Sequence, residues 1–331
     1  MACLERKLRE YYGSTHALAV SSATNGLLAL AIAMRLKGAA FVAPPLSWGG
    51  TVAPFLMLGN RPQWADVDPV TLTLDPASVR RAITPRTKAI VGVDLHGTPS
   101  DDLELRAIAD EHGLFYISDA AQSFGATRNG RPASSLADAT VLSFGPGKPL
   151  DCGEGGAIVT SNTELYQTLL RTCQHPSRQG LELGFQKTTE FGINARIHPE
   201  AASAACGGFE YALTRLRVKQ KACLRAVDAI NQTGFTDEIP FQRLGIMPSF
   251  TRLTAAWKDE PRAEELVATL GRGGSTARCS GPFMKPLYAQ PAFLSEWPRW
   301  RGTGCPMAED QARRRFSIEL ADSERMDGSA E

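Results

Sequence analysis

Residues 88–119 read KAIVGVDLHGTPSDDLELRAIADEHGLFYISD. An apolar run (KAIVGV, 88–93) leads into a helical pattern over 101–112, and a second apolar run (LFYIS, 114–118) follows at once. Strand, helix, strand, with strands apolar almost throughout, is the pattern of parallel neighbours covered on both faces. The alternation extends in both directions. Upstream, ALAVS (17–21) and AFVA (40–43) read as strands, and 25–36 and 48–58 as helices. Downstream, ATVLSF (139–144) and GAIVT (156–160) read as strands, with a helix from about 162. The fold class is therefore α/β, a mostly parallel sheet sandwiched by helices.

From about residue 198 the text changes. Residues 198–230 form one long helical stretch, Ala-rich and then basic; 249–257 (SFTRLTAAW) read as a strand and 261–270 as a helix, with Asp259 as a cap and Gly271 just past the end. The remainder is rich in Pro, Gly and Trp, and the Arg313–Arg315 run reads as a solvated helix face. These features predict a large domain over 1–215 and a smaller C-terminal α+β domain over 216–331. The length of 331 residues suits two domains at ~150 residues each.

Composition narrows the function classes. Apolar residues make up 43% and charged residues 21%, ordinary values for a globular protein. The net charge of +1 excludes a strongly basic nucleic-acid binder. The apolar run Leu27–Met34 falls far short of the ~20 residues a membrane span needs. The N-terminus has no apolar segment of signal-peptide type, so the expected address is the cytoplasm. The seven cysteines form no CxxC pair, and reduced, mostly buried thiols are expected, with no metal site. Only nine of the 36 basic residues are lysines, which draws attention to any lysine in an apolar, glycine-rich setting.

Ligands of open α/β sheets bind outside the carboxyl ends of the strands. The residues following each strand are therefore the candidates. Ser21-Ser22-Ala23-Thr24-Asn25-Gly26 runs into a helix and reads either as a plain cap or as an anion cradle of free backbone N–H groups. Trp48 follows the second strand and could stack on a flat ring or belong to the core. Asp119 ends the strand 114–118; at the end of a buried strand it must be paired or hydrogen-bonded, whether to a cationic ligand nitrogen or to the next turn. Lys148 lies in the loop FGPGKPLDCGEGG (144–156), where a lysine can have a lowered pKa and act as a nucleophile. Anion cradle, ring stacker, acid and lysine together are what pyridoxal 5'-phosphate (PLP) requires: a phosphate site, an amine for a Schiff base, and an acid to keep the ring nitrogen protonated.

At these residues the sequence resembles a known family. The text ITPRTKAI (83–90), VDLHG (93–97), DAAQSFGA (119–126), Ser143-Phe144 with Lys148, GEGG (153–156) and GINAR (192–196) is similar to the DegT/DnrJ/EryC1/StrS aminotransferases, clearly over Glu5–Tyr211 and weakly to the end. The resemblance implies a fold-type-I PLP-dependent transferase acting on keto sugars or keto cyclitols. It implies that Lys148 bonds to the cofactor and later moves the proton, and that Asp119 pairs with the ring nitrogen. Gln122 is implied to lie near the ring hydroxyl and Trp48 to stack on the ring. Ala23 and Thr24 would give backbone amides to the phosphate, and Ser143 its hydroxyl. Asn194 would reach the phosphate of the neighbouring subunit's cofactor, hence a homodimer with shared sites. Some family members carry histidine in place of the lysine and act as dehydratases; Lys148 favours transamination. The implied amino donor is L-glutamate or L-glutamine, in antibiotic or cell-surface amino sugar biosynthesis.

Departures from the family pattern accompany the match. The segment the family carries ahead of Glu5 contributes to the site mouth and subunit contacts, and without it a more open site is expected. Ser118 replaces an acidic residue, Ala23 a glycine and Pro176 a glycine, while Tyr288 stands where histidine is common. The segment 176–190 is unusual in a region that helps select substrate. Two alternatives therefore stay open: a PLP-dependent lyase or aldolase, and a non-catalytic PLP-binding regulatory protein.

Overall fold

A computed structural model describes residues 1–184, 192–272, 276–282, 284–300 and 304–320. Seven strands make the central sheet: β1 His16–Val20, β2 Ala40–Ala43, β3 Arg61–Trp64, β4 Thr87–Val93, β5 Phe115–Asp119, β6 Ala139–Ser143 and β7 Gly156–Thr160. Their order is β1-β7-β6-β5-β4-β2-β3. The pairs from β3 through β2, β4 and β5 to β6 are parallel, and β7 runs antiparallel to both β6 and β1. That single reversal places a site. Antiparallel neighbours need no helical crossover, so the loop from β6 to β7 stays at the carboxyl edge, where the other strands also end.

Helices α1 Ala2–Tyr12, α2 Ala23–Ala33, α3 Gly49–Met57, α4 Pro76–Ala82, α5 Asp102–His112, α6 Thr163–Cys173, α7 Pro176–Leu183 and α8 Pro199–Thr233 surround this sheet. Leu18 and Val20 of β1 pack on one face with Leu27 and Leu30 of α2, Phe55 of α3 and Leu169 of α6. Ala17 and Ala19 pack on the other face with Leu4 and Leu8 of α1 and Phe209 of α8. This is the period-two alternation of a strand buried on both sides. Each buried Leu contributes about 2 kcal/mol. Local signals set the helix ends. Asp101 caps α5 by accepting the Glu104 N–H, and Gly113 closes it in the left-handed conformation. Ser22 caps α2 by accepting the Asn25 N–H.

The C-terminal part contains β8 Leu253–Ala256, α9 Ala263–Arg272, β9 Ala277–Ser280, α10 Pro291–Glu296, α11 Pro306–Arg314 and β10 Arg315–Leu320. Its antiparallel sheet has the order β8-β10-β9. Helix α8 serves both parts. Ala202, Ala205 and Phe209 pack with α1, whereas Cys223, Val227 and Ile230 pack with the small sheet. A division at 215/216 falls inside this helix, between its two packing partners. Residues 321–331, and 185–190 of the unusual segment, lie outside the described residues.

Several expectations are corrected. The strand read over 249–257 is confined to Leu253–Ala256, because Phe250 has φ 50° and cannot continue an extended run. The helix read over 261–270 runs Ala263–Arg272, so Gly271 lies within it. Arg315 is buried rather than solvated: it starts β10 and donates to Gln311 Oε1, Thr254 Oγ1 and the Pro69 carbonyl. The thiols are not all reduced. Cys3 and Cys206 form a disulfide with their Cα atoms 6.2 Å apart, because α1 and α8 lie side by side on one sheet face. Among the described residues no helix is long and apolar enough to cross a membrane.

Candidate active site

The carboxyl ends of β1, β2, β4, β5 and β6 bring together residues from segments far apart in the chain. Asp119 ends β5 and is only 7% exposed. Its Oδ2 accepts the Thr51 hydroxyl of α3 at 2.6 Å, and its Oδ1 accepts the Ala121 N–H at 3.1 Å. Thr51 is in turn bonded to Ser47 at 2.7 Å. Burial pushes the Asp119 carboxyl above the usual carboxylate range; the Thr51 and Ala121 donors and the charge of Lys148 pull the other way. The site therefore holds a buried carboxylate that a cation would stabilise.

Lys148 faces the same region from the 144–155 loop. That loop is held at several points. Asp151 accepts N–H groups from Gly147 and Gly153, both at 2.9 Å; Cys152 N–H donates to the Phe144 carbonyl at 3.0 Å; and Phe144 N–H donates to that of Gly155 at 2.8 Å. Gly147 and Gly153 have φ 76° and 88°, a left-handed backbone that glycine adopts without strain. Burial lowers the Lys148 pKa from its ordinary value, against the opposing charge of Asp119. A larger share of neutral amine at neutral pH is what a nucleophile or proton carrier needs.

The start of α2 is the third component. Ala23 is half-buried and Thr24 exposed, so the first amides of the helix face the opening. Gly156, the partner of Ser143 across β6 and β7, runs beneath this helix end. A Cβ on Gly156 would lie 2.8 Å from the Ala23 nitrogen and 2.9 Å from the Ser22 carbonyl carbon. Ser143 thus sits beside the helix end, and its Oγ accepts the Gly145 N–H at 3.4 Å. Gly50 lies between Thr24 and Trp48: a Cβ there would be 2.8 Å from Thr24 Oγ1 and 3.0 Å from Trp48 Cδ1. Trp48 is 79% exposed, an aromatic face left bare at the mouth.

Gln122 is fixed from two directions. Its Oε1 accepts the His96 N–H at 2.9 Å, and its carbonyl accepts the hydroxyls of Ser249 and Thr251, each at 2.5 Å. Asn194 is exposed, on the segment that meets the end of β1: the adjacent Ala195 carbonyl accepts the Ser21 N–H at 2.8 Å, and Arg196 bridges to Val20. Of the residues read from the sequence, Ala23, Thr24, Trp48, Asp119, Gln122, Ser143 and Lys148 thus gather at the carboxyl edge of the sheet, with Asn194 on the segment beside the end of β1.

The sequence reading missed Thr51, the sole side-chain donor to Asp119 among the described residues, and the two hydroxyls on Gln122. It also missed the buried Asp94, whose carboxylate accepts the Ser100 N–H and the Ser123 and Ser134 hydroxyls at 2.8, 2.6 and 2.7 Å. Thr51 meets Asp119 only in space, across 68 positions of chain. No local pattern marks Ser249 or Thr251, which come from more than a hundred residues away.

The arrangement fits PLP on this structure's own chemistry. A helix start presents free amides to an anion, a buried carboxylate makes no ion pair among the described residues, and a partly buried lysine stands within electrostatic range of that carboxylate.

Comparison with known proteins agrees. The sequence profile described as the DegT/DnrJ/EryC1/StrS aminotransferase family matches residues 1–327. The UDP-2-acetamido-2-deoxy-3-oxo-D-glucuronate aminotransferase of Pseudomonas aeruginosa is 30% identical over 295 residues, covering 88% of this chain and 79% of that protein. A DegT/DnrJ/EryC1/StrS aminotransferase from Brucella abortus has a similar structure, with TM-score 0.79 and 25% identity over 96% of this chain and 84% of that one. A Bacillus subtilis protein, ntda with bound cofactor PMP, has TM-score 0.80 and 25% identity over 98% of this chain and 73% of that one.

Proposed function

Because the chain belongs to the DegT/DnrJ/EryC1/StrS aminotransferase family and is thus a PLP-dependent aminotransferase, we propose that it transfers an amino group from L-glutamate or L-glutamine to a nucleotide-linked keto sugar or a keto cyclitol. The observation that carries this reading is the convergence of Lys148, Asp119 and the α2 start at the carboxyl edge of the sheet. The sugar relative from Pseudomonas aeruginosa supports the acceptor class. A place in amino sugar biosynthesis, for an antibiotic or a cell-surface polymer, is part of the same proposal.

When bound, PLP supplies an electron sink for the pair released at the substrate carbon. The chain's own residues do the rest. The Ala23 and Thr24 amides and the Ser143 hydroxyl would hold the phosphate at the positive end of α2. Asp119, oriented by Thr51 and Ala121, would accept the ring N–H and keep that proton in place. Trp48 would stack on the ring and exclude water from it. Lys148 would hold the cofactor through its amine, and that amine, when free, would carry a proton at the substrate carbon. Asn194 of a second copy completes the phosphate site, so the active unit is a homodimer with shared sites.

The test is a titration of the cofactor-free protein with PLP. Wild type should gain the absorption band of a lysine-bound cofactor, and Lys148→Ala should not. Asp119→Ala should retain some PLP and lose most turnover with a panel of nucleotide-linked keto sugars. An unchanged band in Lys148→Ala, or full turnover in Asp119→Ala, would remove the assignment.

A further inference from the structure

The segment Pro248–Arg252 leaves the C-terminal domain to grip the two turns that follow β4 and β5. Ser249 N–H donates to the Gly97 carbonyl at 3.0 Å, and the Ser249 and Thr251 hydroxyls both donate to the Gln122 carbonyl. Both lone pairs of that carbonyl are thereby used. Gln220 of α8 ties the segment down through the Pro248 carbonyl at 3.0 Å. The fit leaves no slack: a Cβ on Gly97 would lie 2.0 Å from Ser249 Oγ and 2.9 Å from the Gln122 carbonyl oxygen. Two non-glycine residues facing each other across this contact, His96 and Phe250, have φ 59° and 50°. Bulky residues hold that left-handed backbone only where their surroundings over-determine it, and such positions gather at functional sites.

The consequence falls on the Gln122 side chain. Its main chain is held by the C-terminal domain, and its Oε1 is taken by the His96 N–H, whose own turn is bonded to Ser249. Among the described residues no acceptor takes the NH2 group of the half-buried Gln122 side chain, which leaves that group for a ligand. We propose that Ser249 and Thr251 are positioning residues, whose hydroxyls fix the orientation of the Gln122 amide toward the cofactor ring and make that orientation depend on the seating of the C-terminal domain. This inference rests on the reading of Gln122 as a cofactor residue.

The experiment compares Thr251→Val, Thr251→Ser and the double variant Ser249→Ala/Thr251→Val, each in the wild-type and Gln122→Ala backgrounds. Gln122→Ala keeps the carbonyl that the hydroxyls hold and removes only the side chain they orient. Three quantities are read: the dissociation constant for PLP added to cofactor-free protein, the pH midpoint of the bound cofactor's absorption, and the urea midpoint without cofactor. Loss of two hydrogen bonds should weaken PLP binding about tenfold in the double variant and shift the pH midpoint. Thr251→Ser, which keeps the hydroxyl, should restore both. In the Gln122→Ala background the same substitutions should move neither, the signature of two groups acting through one path. Equal losses in both backgrounds, or binding and pH midpoint unchanged in the double variant, would overturn the proposal. If the double variant does not fold, the Thr251→Val and Thr251→Ser pair decides by the same readings. A wild type with no Lys148-dependent band would instead defeat the cofactor reading itself.

Discussion

Gly156→Ala isolates the contact that holds the anion cradle against the sheet. The added methyl would meet three backbone atoms: the Leu142 carbonyl oxygen at 2.5 Å, the Ala23 nitrogen at 2.8 Å and the Ser22 carbonyl carbon at 2.9 Å. None of these can rotate aside as a side chain would. Relief requires the start of α2 to lift from β7 or the β6–β7 pairing to part at Ser143 and Gly156. Overpacking costs about 1–3 kcal/mol, and three simultaneous backbone contacts place this case near 3. The lift also turns the Ala23 and Thr24 amides away from the phosphate. Losing one charge-assisted hydrogen bond of about 1.5–3 kcal/mol weakens binding by roughly 10- to 100-fold. The control is Gly207→Ala, on the exposed side of α8, where an added Cβ meets nothing within 4 Å. That change should stabilise by about 0.5–1 kcal/mol through the helix backbone and leave PLP binding alone. Urea unfolding of cofactor-free protein and fluorescence titration with PLP read both effects. A Gly156→Ala protein with the wild-type urea midpoint and wild-type PLP affinity would refute the reasoning.

Four further outcomes follow from other contacts. Arg178 bonds both oxygens of the buried Glu5, at 2.9 and 3.0 Å, and also Glu182 at 2.6 Å; Arg178→Met should cost about 3 kcal/mol by leaving Glu5 buried without its cation, read as a urea midpoint. Against the push of burial, Tyr166 and Arg178 hold the Glu182 carboxyl below its ordinary value, so its contribution is present above the unfolded pKa of about 4.3 and is lost as pH falls through the lower folded value; a stability profile below pH 5 should be flatter in the Arg178 variant. Reducing the Cys3–Cys206 bond, which closes a loop spanning 203 positions, should lower stability by at most ~5 kcal/mol, seen as a lower urea midpoint with reductant in wild type and no such change in Cys3→Ala. Burial raises the Asp119 carboxyl, so PLP affinity should drop as pH falls through that raised value, and Asp119→Asn should bind weakly and lack that drop in the same titration.

The parallel core was legible because its strands are buried on both faces and therefore apolar without interruption, as in KAIVGV and AFVA. Strand β3 was not legible: Arg61–Trp64 is short, contains Pro62 and lies at the sheet edge, where polar residues are tolerated. The helix Pro76–Ala82 carries only Ser78 and Val79 as buried residues, too few to mark a period. Around the opening, the residues adjacent to strand ends were readable, since topology alone places them there. The groups that hold those residues were not. Thr51, Ser249 and Thr251 act through contacts between distant segments, and the Cys3–Cys206 pairing depends on two helices meeting across the chain's length. Arg315 was misread because its run of arginines looks solvated, while β10 turns the last of them inward onto Gln311, Thr254 and Pro69.

The central claim is that Lys148 and Asp119 serve a cofactor that shuttles an amino group. Its most direct test is the absorption spectrum of the PLP-loaded protein before and after adding L-glutamate. The account predicts that the band of the lysine-bound cofactor forms with wild type and is replaced by that of pyridoxamine phosphate, with one equivalent of 2-oxoglutarate released per site. A band that forms and then stays unchanged with both L-glutamate and L-glutamine would contradict it.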